Sequence, residues 1–331
     1  MLRYTLRRVL FTFVVLFLAS LVSFLIIQLP PGDWLDTYIS TLEDRGEIID
    51  AATIENLRHV YGLDLPIYQQ YFKWMGKIII HGDWGQSFSY NMPARMLVMA
   101  RLPMTVLVSI LSLIFVYVVA IPIGIYSATH QYSAGDFTVS FFGFIGLATP
   151  NFLLALVLMV FFMRILGLNV GGLFSAEFMG VPWSFAKFVD LLRHLPIPVI
   201  VIGTAGTAGM IRVMRAMLLD ELQKQYVVTA RAKGVKGRKL LFKYPVRVAI
   251  NPVVSTIGWT LPDIVSGSTI TAIVLGLPTV GPLLYDALTS QDMYLAGSIT
   301  LLLSFLTIIG TVISDFLLVA VDPRIRMARR A

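Results

Sequence analysis

Apolar residues in this chain fall into long runs separated by shorter polar stretches. Crossing ~30 Å of hydrocarbon as a helix takes about 20 apolar residues. Six segments reach that length: Val9 to Leu29, Pro103 to Tyr126, Phe137 to Met163, Leu195 to Leu218, Asn251 to Leu275 and Ala296 to Val321. A backbone in lipid must satisfy its own N–H and C=O groups, so each segment is predicted to be helical. With 57% hydrophobic and 14% charged residues and a mean hydropathy of +0.79, the chain is too apolar for a soluble domain of 331 residues. The expected fold class is an all-α integral membrane protein of six transmembrane helices.

The first run follows Arg3, Arg7 and Arg8 and leads into Pro30-Pro-Gly-Asp33 without a small-residue cleavage pattern, so it reads as a retained anchor over residues 1–29. Residues 30–102 are the one stretch long enough for a small extramembrane module. Thr53 to Val60 and Pro66 to Ile80 carry helical spacing there, and a compact helical insert is expected. Residues 103–331 form a core of five helices interrupted by a loop at 219–250.

Charge orients this arrangement. The loop from Leu219 to Ile250 holds eight Lys and Arg and the tail after Asp322 holds four, whereas Gly276 to Leu295 holds none. Basic loops stay on the cytoplasmic side, which places both termini there and the 30–102 insert outside. The net charge of +7 therefore lies beside membrane helices and needs no nucleic acid to account for it. Absence of cysteine removes disulfides, thiolate catalysis and Cys-based metal sites.

The basic loop has more order than anchoring requires. Asp220 and Glu221 read as the start of a helix running to Ala232, and Gly234 reads as its stop. Lys236 to Tyr244 offers a second short helix closed by Pro245. The pair would form a rigid knob suited to docking a soluble partner. Small residues at Gly203, Gly206 and Gly209, and at Gly143, Gly146 and Ala148, mark close helix packing.

Catalytic chemistry is hard to assemble. His59, His81, His130 and His194 show no metal-clamping spacing, and Gly234-Val-Lys-Gly237 does not match a phosphate-binding loop. The chain is expected to bind no metal and to hydrolyse no ATP itself. Two acids, Asp263 and Asp315, fall inside apolar segments, where an aspartate costs about 2.5–3.5 kcal/mol. Asp263, Ser266, Ser268, Thr269 and Thr271 make the fifth segment unusually polar, and it is the candidate lining of an aqueous path. The alternative is that Asp263 bonds a neighbouring helix; Asp315 reads as structural.

Several strings then resemble one family, the membrane-spanning permease subunits of bacterial ABC importers of the dipeptide/oligopeptide type. Met1-Leu-Arg-Tyr-Thr-Leu-Arg-Arg8, Pro31-Gly-Asp33, Tyr61-Gly-Leu-Asp-Leu-Pro66 and Gly82-Asp-Trp-Gly-Gln-Ser87 are similar to its first helix and external region. Thr229-Ala-Arg-Ala-Lys-Gly234 resembles its coupling-loop motif, and Asp322-Pro-Arg-Ile-Arg326 its closing motif. The resemblance implies a type I ABC importer permease in the bacterial inner membrane. Its partners would be a second homologous permease, ABC ATPase subunits carrying ATP and Mg, and an extracytoplasmic solute-binding protein. Thr229, Ala230, Arg231, Ala232, Lys233 and Gly234 would be the coupling helix seated on the ATPase. The chain departs from the family at Ala272, Leu275, Leu277, Pro282 and Gln291, which opens an oligosaccharide as an alternative cargo to a peptide. From other classes, an ion-coupled secondary transporter or a membrane enzyme using Asp263 needs inverted repeats or a second titratable group, and neither stands out.

Overall fold

The computed structural model describes residues 2–28, 35, 39, 50–61, 64–87, 89–167 and 170–321. Pro31-Gly-Asp33 and the closing motif from Asp322 lie outside them. Among the described residues the regular structure is helical apart from one antiparallel pair of two-residue strands, and the chain divides into two compact units, 1–103 with 279–306 and 104–278 with 307–331.

In the first unit, α1 (Leu2–Gln28) is a 27-residue helix. After α2 (Ala51–Tyr61), α3 (Ile67–Gly76) starts behind Pro66, whose fixed φ suits a helix entry. It widens into a π turn, Lys77–His81, which Gly82 ends at φ 62°. Strands β1 (Gln86–Ser87) and β2 (Met92–Pro93) lead into α4 (Ala94–Thr129). The core here joins Ala94 and Val98 of α4 to Val280 and Leu283 of α14 (Val280–Thr289) and to Leu295 and Ile299 of α15 (Met293–Val321).

The second unit is built around α8 (Pro196–Leu222). Against it lie α5 (Ala134–Ala148), α6 (Asn151–Leu166) and α7 (Phe185–His194). A helical hairpin follows, α9 (Gln225–Ala232) and α10 (Gly237–Lys243), and the chain returns along α8 as α11 (Pro245–Ser255). Two short helices complete it, α12 (Ile257–Gly267) and α13 (Thr269–Val274). Met210, Met214 and Leu218 of α8 interlock with Val116 and Ala120 of α4 and with Val246, Ala249 and Val253 of α11.

Lipid is as apolar as leucine, so helix contact in a membrane depends on close backbone approach more than on water exclusion. The predicted small-residue stripe does this in part. A Cβ at Gly203 would stand 2.5 Å from Phe115 of α4, and one at Gly206 would stand 3.3 Å from Val116. Gly146 meets Thr204 at 3.3 Å, whereas Gly209 faces open space. A further close approach escaped the sequence reading: a Cβ at Gly124 would lie 2.7 Å from Met214 Cβ and 3.1 Å from the Ile211 carbonyl.

Two expected single helices are broken. The third apolar segment splits into α5 and α6 at a 103° bend. Pro150 forbids a helical Thr149, which sits at φ −87°, ψ 120°. The fifth divides into α11, α12 and α13 at Thr256 and Ser268. Pro252 lies inside α11 and Pro262 inside α12, and each withholds one backbone N–H from its helix. Ser255 Oγ donates to the Pro252 carbonyl (2.6 Å) and Thr256 Oγ1 to the Val253 carbonyl (2.7 Å), so hydroxyls serve backbone acceptors along the interrupted helix. Among the described residues, 94–129, 185–222 and 293–314 are long and apolar enough to cross a membrane, and the bent 134–165 pair makes a fourth.

Gly124→Ala should lower the thermal stability of the purified protein by about 1–3 kcal/mol, because Met214 Cβ and the Ile211 carbonyl cannot retreat without parting the helices. Gly209→Ala, placed in open space, should leave the melting temperature unchanged in the same assay.

Candidate coupling surface and polar path

The basic loop is the knob its sequence predicts, with its boundaries moved. Asp220 and Glu221 belong to the last turn of α8, not to the start of the next helix. They still govern that start. Asp220 pairs with Lys224 at 3.0 Å, and Tyr226 donates a hydrogen bond to Glu221, so both acids hold the first turn of α9 against the end of α8. Burial and the neighbouring Glu221 carboxylate push the Tyr226 hydroxyl well above its ordinary value, which keeps it a donor at physiological pH.

The other end of α9 closes as a Schellman motif. Gly234 N–H donates to the Arg231 carbonyl (3.0 Å) and Val235 N–H to the Ala230 carbonyl (3.2 Å), while Gly234 takes φ +86°. Only glycine adopts that conformation without strain. Val235 then packs with Tyr244 onto Val227, Ala230 and Leu240, a small core inside the hairpin. Pro245 opens α11 directly, so the knob stands on the α8–α11 pair without a slack linker.

Ala230, expected on the docking face, is instead turned into that core. Thr229, Arg231, Ala232, Lys233 and Gly234 are exposed. Exposed on the same hairpin are the apolar Val228 and Phe242 and the basic Arg231, Lys233, Lys236, Arg238, Lys239 and Lys243. Exposed aromatic side chains and arginine are both enriched in protein interfaces.

The polar fifth segment presents one open face. Asp263, Ser266, Ile270 and Ile273 recur at helical spacing along α12 and α13, and all are exposed on the chain. Ser268 and Thr269 are half-buried and bond back to the carbonyls of Val265 (3.3 Å) and Ser266 (3.0 Å). Thr271 is buried with Ala272, so the open face excludes it. Leu275 and Leu277 join Ala272 in the core of the unit, which removes these three departures from the list of cargo contacts. The Asp315 side chain lies outside the described residues.

Residues 120–327 match the family described as binding-protein-dependent transport system inner membrane component. Residues 1–111 match the N-terminal region of such membrane components. The chain belongs to this permease family. It is 35% identical to the oligopeptide transport system permease AppB of Bacillus subtilis over 327 residues, covering 97% of this chain and 98% of that one. It is 30% identical to OppB of Salmonella typhimurium over 329 residues, covering 98% and 100%. The inner-membrane permease YejB of Escherichia coli O157:H7 matches at 30% over 97% and 98% of the two chains.

Among the described residues the buried acids are Asp136, Asp190 and Asp292, none of them singled out in the sequence. Asp136 is buried at the start of α5, where it accepts from Ser127 of α4, from the Tyr132 N–H (3.0 Å) and from Arg215 of α8 (3.0 Å). It gathers three elements at the base of the knob-bearing helix. Ser133-x-x-Asp136 is a helix-start signature, and Ser133 accepts from the Asp136 N–H at 3.2 Å. Asp190 accepts from Ser175 Oγ (2.6 Å) and N (2.8 Å), fixing the 170–183 loop to α7. Asp292 accepts from Ser87 Oγ (2.5 Å), Ser89 N (3.2 Å) and Leu295 N (3.1 Å), so it caps α15 and holds the Gly82–Ser87 motif. His59 pairs with Asp64, His130 stacks on Tyr126, and His194 meets the Asp190 carbonyl.

Removing the Asp136 carboxylate should leave Arg215 half-enclosed without its partner. Asp136→Ala is expected to destabilise the permease by about 2–3 kcal/mol, below the ~3–5 of a fully buried pair because 32% of the Arg215 side chain is open. Thermal unfolding should show the loss, and Arg215→Met added to Asp136→Ala should restore part of it.

Proposed function

We propose that this chain is one of two permease subunits of an ATP-driven peptide importer, spanning the membrane six times with both termini in the cytoplasm. The observation that carries the reading is the knob: a braced helical hairpin that exposes apolar and basic side chains and is mounted without slack on α8 and α11. Such a surface suits a soluble partner with an acidic rim around a groove. An ABC ATPase subunit is that partner, and it carries the ATP and Mg that this chain does not. Thr229, Arg231, Ala232, Lys233 and Gly234 face it, and Ala230 keeps the hairpin closed behind them.

Closure of the two ATPases on ATP draws the knobs together, and α8 and α11 carry that movement into the bundle. The open face of α12 and α13 with Asp263 and Ser266 lines half of the path, Ser268 and Thr269 lie beside it, and the second permease supplies the other half. A solute-binding protein delivers cargo on the outer side, where the 30–102 insert and the 276–295 segment lie. Peptides are the favoured class because AppB and OppB are oligopeptide permeases by name. The buried Ala272, Leu275 and Leu277 give no reason to prefer a neutral sugar.

Reconstitution of the full complex with its binding protein tests this. Arg231→Glu should cut ATP-driven peptide uptake about tenfold or more, equal to ~1.4 kcal/mol or more of lost docking. Unchanged assembly and uptake would remove the coupling role. Asp263→Asn should change uptake only modestly, whereas an ion-coupled carrier or an enzyme relying on that carboxylate would lose nearly all activity.

A further inference from the structure

Helix α3 and its π turn carry a second surface that the coupling mechanism does not use. Tyr71 packs edge-on against Phe24 (5.5 Å between ring centres) and Phe17 (6.3 Å) of α1, and its hydroxyl shares a 2.7 Å hydrogen bond with Ser20. Trp74 stacks on Phe24 at 5.8 Å. Ser20 lies eight residues before Gln28, where α1 ends, so at about 1.5 Å per residue the contact sits ~12 Å short of that end. α3 thus rests against the apolar stretch of α1 rather than beyond it.

Helical spacing gives α3 three faces. Tyr71 and Trp74 point at α1; Tyr68 and Phe72 are 63% and 65% exposed; Gln69 and Lys73 form an exposed polar edge. The π turn continues the apolar face with Ile79 and Ile80, exposed at 73% and 76%. α1 itself exposes Leu18, Val22 and Leu25, so the two helices present apolar side chains over the same part of the unit. A helix with one apolar side, one polar side and lysine on the polar side matches those that lie in the boundary between headgroups and acyl chains, ~5–10 Å deep. Lys73 has the length to reach phosphate from there.

We propose that Ile67–His81 is a lipid-embedded arm, with Tyr68, Phe72, Ile79 and Ile80 in the acyl region of one leaflet and Gln69 and Lys73 at its headgroups. This rests on α1 crossing the membrane, and in the orientation proposed above the leaflet is the outer one. It replaces the expected solvated insert, over these residues, with a membrane-bound one.

The chain has no cysteine, so single labels report one site each. An environment-sensitive fluorophore is placed at Phe72→Cys, Ile80→Cys, Gln69→Cys or Leu18→Cys in the assembled, transport-active complex in vesicles. Quenching by acyl-brominated lipid is compared with quenching by aqueous iodide. Labels at 72, 80 and 18 should be quenched severalfold more by the brominated lipid, and the label at 69 more by iodide. If 72 and 80 follow 69, the arm is solvated and the proposal fails. If neither quencher reaches them while both act as expected at 18 and 69, a protein partner covers the arm and the proposal also fails. Loss of lipid quenching at 18 would overturn it through its premise, the α1 crossing.

Discussion

The interlock of α8 with α11 is the contact on which the rest of this permease depends. Met214 and Leu218 enter between Val246, Ala249 and Val253, and the chain between them has little choice but to fold back as a hairpin. That hairpin is then tightened from inside by Val227, Ala230 and Leu240, from the α8 side by the Asp220–Lys224 and Glu221–Tyr226 pairs, and at its turn by the left-handed Gly234. A displacement applied to α9 therefore has no flexible segment in which to dissipate. In the proposed importer, stiffness at this point would let a motor on another polypeptide move helices inside the bilayer.

A second constraint runs through both units: every polar group that leaves water needs a partner. The permease meets it at its breaks. Hydroxyls of Ser255 and Thr256 serve carbonyls near Pro252, and three carboxylates, Asp136, Asp190 and Asp292, collect the donors of turns and helix starts. Each of these acids joins a loop to a helix within one unit.

Hydropathy located the long helices because a run of 20 apolar residues has few alternatives in lipid, and 94–129, 185–222 and 293–314 followed. It missed the breaks at Thr149, Thr256 and Ser268, since apolar content continues across a break in the backbone. The helical hairpin of α9 and α10 was legible through its glycine and its density of charge. Its start was misplaced because Asp220 and Glu221 suit a helix beginning electrostatically, yet α8 runs on through them and uses them to grip the next helix. Ala230 faced inward because its partner residues, Val227 and Leu240, share a core that a motif does not display. Asp136 carried a readable signal, the Ser133-x-x-Asp136 spacing, but its partner Arg215 lies 79 residues away and only the fold joins them.

The central claim is that the knob and its two supporting helices move as one body. Spin labels at Gln225→Cys on α9 and Val248→Cys on α11, both exposed and introduced into a chain with no other cysteine, report it directly by pulsed dipolar spectroscopy in the assembled importer. The distance between them should stay narrow and unchanged between the nucleotide-free and ATP-bound states. A distribution that broadens or shifts on ATP binding would mean the hairpin flexes on its base, and the account would be wrong.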